Sequence, residues 1–181
     1  MLGLKGVLFI KRWLESTTHI DLPFNAYENQ AVCTLPLLNG NVKRWDLSGF
    51  FLGKDVRPLV VEAKAYSTPG HQGTEYVKYL ANAYSATAKE MAEVGDRRRE
   101  FIWVTSHPFS QKRWKDLLSR DYMHEALKDN ADVLGGNEVD DNLVETLADR
   151  LWVLVIHQKQ ESLLLRPKEL LAVHRVLKRK G

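Results

Sequence analysis

An acid and a base lie two residues apart within an apolar stretch of the chain. Residues 57–66 read Arg-Pro-Leu-Val-Val-Glu-Ala-Lys-Ala-Tyr, so Glu62 and Lys64 stand among aliphatic side chains. An unpaired charge that is removed from water is costly, and such charges therefore require a partner, a bound ion or a chemical role. A second acid, Asp46, precedes them in Arg-Trp-Asp-Leu-Ser-Gly at residues 44–49.

These residue types suit the hydrolysis of a phosphodiester. Carboxylates hold hard divalent cations, so Asp46 and Glu62 would bind Mg²⁺ or Mn²⁺, with the backbone carbonyl of Ala63 as a third candidate ligand. Lys64 would orient or help to deprotonate the attacking water and would stabilise charge on the phosphate. A purely structural salt bridge between Glu62 and Lys64 is the alternative, and the spacing alone does not decide between the two.

The predicted strands place these residues together. In a strand over residues 58–66, Glu62 and Lys64 share one face, and the other face is small and apolar. Strands are also predicted over residues 31–38 and 42–52, joined by Asn39-Gly40, a strong hairpin signal. Asp46 then lies on the strand next to that of Glu62, which can bring the two carboxylates together.

The remaining pattern predicts an α/β sandwich with a mixed sheet. Helical periodicity predicts helices over residues 4–15, 74–93, 111–129 and 141–149, and a last helix that begins at Pro167. Apolar runs predict strands over residues 100–105 and 151–156, and residues 161–165 are expected to pair with the second of these. The chain has 181 residues and no linker-like segment, which favours a single domain over residues 1–181.

This order of elements resembles the PD-(D/E)xK nuclease superfamily over roughly residues 4–106. The resemblance implies a restriction-endonuclease-like fold, a three-layer sandwich whose central mixed sheet is flanked by helices, with residues 107–181 as a C-terminal extension. It also implies a Mg²⁺- or Mn²⁺-dependent deoxyribonuclease, with Asp46, Glu62 and Lys64 as its catalytic residues. Gln72-Gly-Thr-Glu-Tyr76 matches the Gln-x-x-x-Tyr of RecB-like members, which implies that Gln72 and Tyr76 position the substrate.

The sequence departs from the family pattern at two points. Trp45 stands where the motif's proline would be, and the upstream histidine of RecB-like members could only be His19, which lies in a loop-like segment. The resemblance implies that a glutamate of the first helix adds a metal ligand. Glu15 is the candidate for this role, and Glu28 is a second one.

The leading interpretation is a metal-dependent DNA nuclease, within a repair, recombination or phage-defence assembly. The alternative is a catalytically inactive subunit of the same fold that binds DNA or a partner protein in an assembly. A third hypothesis is an RNA-directed or tRNA-splicing-type nuclease, which would use a different residue set. There is no Walker loop, no Gly-x-Ser-x-Gly sequence and no paired-cysteine metal site.

The composition is compatible with a polyanionic partner without requiring one, because the formal net charge is only +3. The basic clusters, for example Lys43-Arg44 and Arg97-Arg-Arg99, would hold a phosphate backbone. A single cysteine, Cys33, fits a reducing compartment. No apolar run is long enough for a membrane span or a signal segment, so a cytoplasmic protein without membrane contact is expected.

Overall fold

A five-stranded mixed sheet forms the centre of the chain. The computed structural model describes residues 3–64 and 71–178, apart from the side chain of Gln111. The strands are β1 Ile20–Asn25, β2 Thr34–Pro36, β3 Val42–Arg44, β4 Leu47–Leu52, β5 Val56–Lys64, β6 Glu100–Thr105 and β7 Leu151–Val155. The central sheet has the order β1-β4-β5-β6-β7, and β2 and β3 form a separate two-stranded sheet. The β1/β4 and β4/β5 pairs are antiparallel, whereas β5/β6 and β6/β7 are parallel.

In the residues that the structure describes, five α-helices accompany the sheet. They are α1 Leu4–Thr17, α2 Gln72–Val94, α3 Arg120–Asp129, α4 Asp141–Ala148 and α5 Pro167–Val176. The side chain of Asp140 accepts hydrogen bonds from backbone N–H groups at the start of α4, and Ser119 caps α3 in the same way. Gly95 ends α2 with a φ of 85°, a conformation that favours glycine. Short 3₁₀ turns cover Gln111–Asp116, Ala131–Leu134 and Gln158–Leu163.

Two hydrophobic clusters lie on opposite faces of the sheet because side chains alternate along its strands. Val60, Phe101 and Trp103 face the first cluster, which also contains apolar residues of α2, α3 and α4. Val61 and Ile102 face the second cluster, which α1 covers. The predicted class, an α/β fold with a central mixed sheet flanked by helices, is confirmed.

The structure corrects the predicted hairpin region. The strand predicted over residues 42–52 is two strands, β3 and β4, because Trp45 and Asp46 interrupt it. Among the described strands, β3 pairs only with β2, whereas β4 pairs with β5 and with β1. The sequence did not predict β1, whose Pro23 lies next to an irregularity in the register between Asp21 and Phe24.

Three further element predictions differ from the structure. The helix predicted over residues 111–129 is a 3₁₀ turn followed by α3, since Ser119 begins a new helix. The strand predicted over residues 161–165 is wrong, because a 3₁₀ turn covers Gln158–Leu163. Strand β5 ends at Lys64, and Tyr66, the last residue of the predicted strand, lies outside the described residues.

Strands β1 and β4 approach each other closely at Gly49. A Cβ atom at this position would lie 1.9 Å from the backbone oxygen of Asp21. Only glycine fits such a contact between two backbones without a shift of one strand. Gly49 therefore fixes how tightly the first edge strand packs on the sheet.

No helix in the described part of the chain is long and apolar enough to cross a membrane.

Candidate functional site

Glu62 and Lys64 lie at the C-terminal end of β5, on the face that α2 covers. Lys64 Nζ is 2.9 Å from Glu62 Oε1 and 3.6 Å from Oε2 of Glu75, a residue of α2. The same ammonium lies 5.4 Å from the ring centre of Trp103. The side chain of Glu62 is only 8% exposed, so its charge is held almost out of water. The structure therefore places the acid and the base of this strand in direct contact.

Asp46 lies beside the same strand. Its backbone N–H donates to the carbonyl of Val61 at 3.0 Å, and its Oδ2 accepts a hydrogen bond from the N–H of Ala63 at 2.8 Å. Burial, followed by the negative charge of Glu62, raises the pKa of the Asp46 carboxyl. The hydrogen bond from Ala63 and the charges of Lys64 and Lys43 oppose this rise. The two carboxylates are thus close enough to repel each other.

Lys43 is a member of this site that sequence reasoning missed. It belongs to β3, and its Nζ lies 2.9 Å from Glu62 Oε2 and 5.3 Å from the ring centre of Trp45. The sequence indicates only a basic pair, Lys43-Arg44, because the position of the β2–β3 sheet cannot be read from residue spacing. We call Lys43, Asp46, Glu62 and Lys64 the charged cluster.

The donor set of the charged cluster suits Mg²⁺ better than a cation whose ligands must all come from the protein. Mg²⁺ is commonly held by one or two carboxylates, with water and phosphate oxygens as its other ligands. Asp46 and Glu62 supply such a pair of hard oxygen donors. Glu62 Oε2 is buried and accepts no well-formed hydrogen bond from the described residues, although Lys43 lies close to it. One oxygen of the cluster can therefore accept another ligand.

The predicted accessory ligand Glu15 does not join this pair. Within the described ranges, no group of three or more His, Cys, Asp or Glu side chains is arranged to hold a metal ion. Glu15 Oε1 instead accepts hydrogen bonds from Lys11 Nζ at 2.7 Å and from the N–H of Leu22 at 2.9 Å, and so links α1 to β1. Glu28, the second candidate, accepts a hydrogen bond from the Asn25 amide at 2.8 Å. Ala63 pairs with Val104 of β6 in the sheet.

Gln72 lies at the start of α2, next to the strand end that carries Lys64. Its Oε1 accepts a hydrogen bond from Thr105 Oγ1, and Thr105 is the partner of Lys64 in the β5/β6 register. Gln72 is fully buried, and its Nε2 has no hydrogen-bond partner among the residues that the structure describes. This position remains compatible with the predicted role in positioning a ligand.

Tyr76 is placed in the core. Its hydroxyl donates to the carbonyl of Leu117 at 2.8 Å, and its ring packs against those of Tyr79, Trp103 and Phe109. It is fully buried, and burial raises the pKa of its hydroxyl far above the ordinary tyrosine value. These contacts give Tyr76 a packing role and do not support the predicted role in positioning a substrate.

The chain is similar to solved structures described as Cap4 SAVED/CARF-domain receptors. A receptor of Acinetobacter baumannii with the cyclic trinucleotide 3′3′3′-cAAA is 12% identical, with a TM-score of 0.39 over 98% of this chain. The receptor of the same organism with 2′3′3′-cAAA has a TM-score of 0.36, and that of Moraxella osloensis is 13% identical over 95% of this chain. This chain spans only 35–36% of the length of these receptors. No family model and no curated protein matches it.

These comparisons contradict the assignment to the PD-(D/E)xK nuclease superfamily. The similar structures named above are described as receptors with SAVED/CARF domains, and no nuclease family model matches the chain. The same findings contradict the leading interpretation as a DNA nuclease. They also contradict the description as a metal-binding nuclease, which depends on that interpretation. At these identities and TM-scores, the likeness carries no argument about what the chain binds.

Proposed function

We propose that this chain is the binding module of a larger assembly, and that its charged cluster takes a phosphodiester-linked nucleotide together with a divalent cation. The observation that carries the proposal is the burial of the charged Glu62 side chain among other charged groups. Its carboxylate is almost completely buried, two lysines lie at 2.9 Å from its oxygens, and a second acid, the partly buried Asp46, lies beside it. This proposal does not require the restriction-endonuclease-like fold, which stays a prediction.

Packing alone does not account for four charged groups at this position. Burying ion pairs costs desolvation energy, and apolar residues of similar volume often stabilise a fold equally well or better. Here burial, and after it the negative charge of Glu62, disfavours the charged form of Asp46 and raises the pKa of its carboxyl, which adds to this cost. A carboxyl with a perturbed pKa that lies beside other charged groups at a strand end is typical of a functional site.

The charges of the cluster also indicate which class of ligand it binds. An anion alone would meet Asp46 and Glu62 and be repelled by them. A divalent cation that binds both carboxylates removes this repulsion and competes with the two ammonium groups for Glu62. The ammonium groups of Lys43 and Lys64 are then available to a phosphate, as charge-assisted hydrogen-bond donors. Ligand binding should therefore depend on the cation.

The C-terminal helix supports a role in an assembly. In the described part of the chain, no side chain of α5 is buried, although α5 carries an apolar stripe. Within α5, Leu171 is 53% exposed and Val176 is 79% exposed. Grouped exposed apolar side chains are typical of surfaces that contact another protein segment. The ligand class that we propose includes the cyclic trinucleotides with which two of the similar receptors are described.

A binding titration tests the proposed function. Labelled cyclic trinucleotide, single-stranded DNA and double-stranded DNA are titrated with the purified chain in Mg²⁺ and in EDTA, and fluorescence anisotropy is measured. We expect at least one ligand to bind in Mg²⁺ only, and Glu62→Gln and Lys64→Met to weaken binding by about tenfold or more.

The control variants come from an exposed ion pair elsewhere on α2. Lys89 and Glu93 lie 3.0 Å apart, and Lys89→Met and Glu93→Gln remove the same charges as the test variants. They should leave the affinity unchanged within about twofold. If no ligand binds the wild-type chain, or if Glu62→Gln and Lys64→Met bind as tightly as the controls, the proposal is wrong.

The predicted Mg²⁺- or Mn²⁺-dependent phosphodiester cleavage is untested and stays a prediction. A bound cation would polarise the phosphate and supply hydroxide at neutral pH. Lys64 is the residue that would orient the water, and Asp46 and Glu62 would hold the cation. The DNA samples of the titration, separated on a denaturing gel after incubation with each metal and with EDTA, show whether cleavage occurs.

A further inference from the structure

We propose that Lys43 is a ligand-contacting residue of the charged cluster. In the free protein its ammonium group neutralises Glu62. When a divalent cation binds Glu62 instead, the ammonium group contacts a phosphate of the ligand. This inference rests on the proposed function and adds a residue and an order of events to it. The sequence pattern places Lys43 in a basic pair that would hold a phosphate backbone and indicates no contact with Glu62.

The contacts of Lys43 suit a partner that can be exchanged. Its Nζ lies 2.9 Å from Glu62 Oε2, yet that oxygen accepts no well-formed hydrogen bond from the described residues. The ion pair is therefore held by charge more than by directed geometry. The side chain of Lys43 is 24% exposed, whereas that of Glu62 is 8% exposed, so the lysine is the partner that water and a ligand can reach.

The element that carries Lys43 lies outside the central sheet. Strand β3 spans three residues, and among the described strands it pairs only with β2. The Lys43 ammonium also lies 5.3 Å from the ring centre of Trp45, which is fully buried in the first hydrophobic cluster. This cation–π contact keeps the ammonium near the cluster after it leaves Glu62.

Lys64 is held differently. It contacts the other oxygen of Glu62 and also Glu75 of α2, and it lies over the Trp103 ring. Two acids retain this lysine, whereas the described ion pairs of Lys43 involve Glu62 alone. The two lysines thus have different roles: Lys43 leaves Glu62 Oε2 when a cation takes its place, whereas Lys64 keeps Glu75 as a partner and meets the phosphate from its present position.

The exchange predicts two opposite effects of one substitution. Without nucleotide, Lys43→Met removes the competitor and should bind Mn²⁺ about fivefold more tightly than the wild type, measured by electron paramagnetic resonance of free Mn²⁺. In saturating Mg²⁺, the same variant should bind the nucleotide ligand about fivefold or more weakly, measured by anisotropy, because a phosphate contact is lost. A merely structural lysine would not shift the two affinities in opposite directions.

Lys54→Met is the matched control. Lys54 is exposed in the turn between β4 and β5 and belongs to none of the groups placed in the site, so the variant makes the same change of side chain and removes one positive charge outside the charged cluster. It should change both affinities by less than about twofold. Lys43→Arg keeps the charge and should restore ligand binding, which excludes misfolding as the cause.

Two results overturn the inference about Lys43. One is a Mn²⁺ affinity of folded Lys43→Met that equals that of Lys54→Met, and the other is a shift of both affinities in the same direction. Failure of the proposed function is seen separately, as the absence of nucleotide binding by the wild-type chain in Mg²⁺. The Mn²⁺ measurement needs no nucleotide, so the two failures are distinguishable.

Discussion

Asp46 carries a charge that its surroundings disfavour. Burial and the charge of Glu62 raise the pKa of its carboxyl, so the folded state binds this proton more tightly than the unfolded state does. Stability from Asp46 is therefore present at low pH and is lost as pH rises from the ordinary aspartate range through the raised pKa.

Asp46→Asn should stabilise the chain at neutral pH. The asparagine oxygen can still accept the Ala63 N–H bond, and the charge is absent. We expect a gain of about 1 kcal/mol at pH 7, or roughly 2–4 °C in Tm, and no gain near pH 3, measured by thermal melts over that range. Asp55→Asn, at an acid that is 71% exposed, is the control and should change little. A destabilised Asp46→Asn at pH 7 would contradict this account.

Tyr76→Phe tests whether the Tyr76 hydroxyl stabilises the core or positions a ligand. The substitution leaves the buried carbonyl of Leu117 without its donor, so we expect a loss of about 1–2 kcal/mol in urea unfolding. Nucleotide affinity in Mg²⁺ should stay unchanged, because the hydroxyl is committed to the core. The exposed Tyr27 provides the control variant Tyr27→Phe, which should be neutral. Weaker ligand binding at unchanged stability would restore the positioning role.

The residues of the site could be predicted in part. Charges inside an apolar run identified Glu62 and Lys64, and strand adjacency indicated Asp46. Lys43 could not be predicted, since its contact depends on how the β2–β3 sheet lies against β5. The core position of Tyr76 could not be predicted, because helical spacing does not show whether a tyrosine hydroxyl has a buried partner such as the Leu117 carbonyl.

Among the structural elements, those with a strong periodic pattern were predicted best. The strand over residues 100–105 matches β6, and the helix over residues 74–93 lies within α2. Elements whose pattern is interrupted were missed or merged. Strand β1 contains Pro23 and a register irregularity, and β3 and β4 are separated only by Trp45 and Asp46.

The close contact of β1 and β4 predicts that alanine substitution destabilises the chain at one glycine and not at another. Gly49→Ala places a Cβ atom against the backbone of Asp21, and we expect a loss of about 3 kcal/mol or more. At Gly53, by contrast, an added Cβ atom meets nothing within 4 Å. Gly53→Ala should therefore be nearly neutral. Urea unfolding of both variants is the measurement, and equal stabilities would show that the two strands can move apart freely.

At the scale of the whole molecule, the two hydrophobic clusters share one sheet. Val60 and Val61 are adjacent on β5, both are fully buried, and they face different clusters. The layer of α1 and the layers of α2, α3 and α4 therefore depend on the same strands. If these strands unfold, the apolar residues of both clusters become exposed to water.

The chain should unfold in a single cooperative transition. Trp45 and Trp103 lie in the first cluster and Trp13 packs against the second, so tryptophan fluorescence reports on both clusters, and far-UV circular dichroism reports on all helices. We expect coincident urea transitions, and we expect Val60→Ala and Val61→Ala each to lower the midpoint of both probes with an unchanged slope. Separate transitions, or a variant that shifts one probe alone, would show that the clusters unfold independently.

Gly49 and Asp46 lie three residues apart and would respond differently to selection. In a mutational library sorted only for folded protein, glycine should persist at position 49, since the Asp21 backbone leaves no room for a side chain. At position 46 the same sorting should favour asparagine, because the fold gains stability when the charge is removed. Sorting for ligand binding should restore the aspartate. The difference between the two libraries would mark which residues serve the architecture and which serve the ligand.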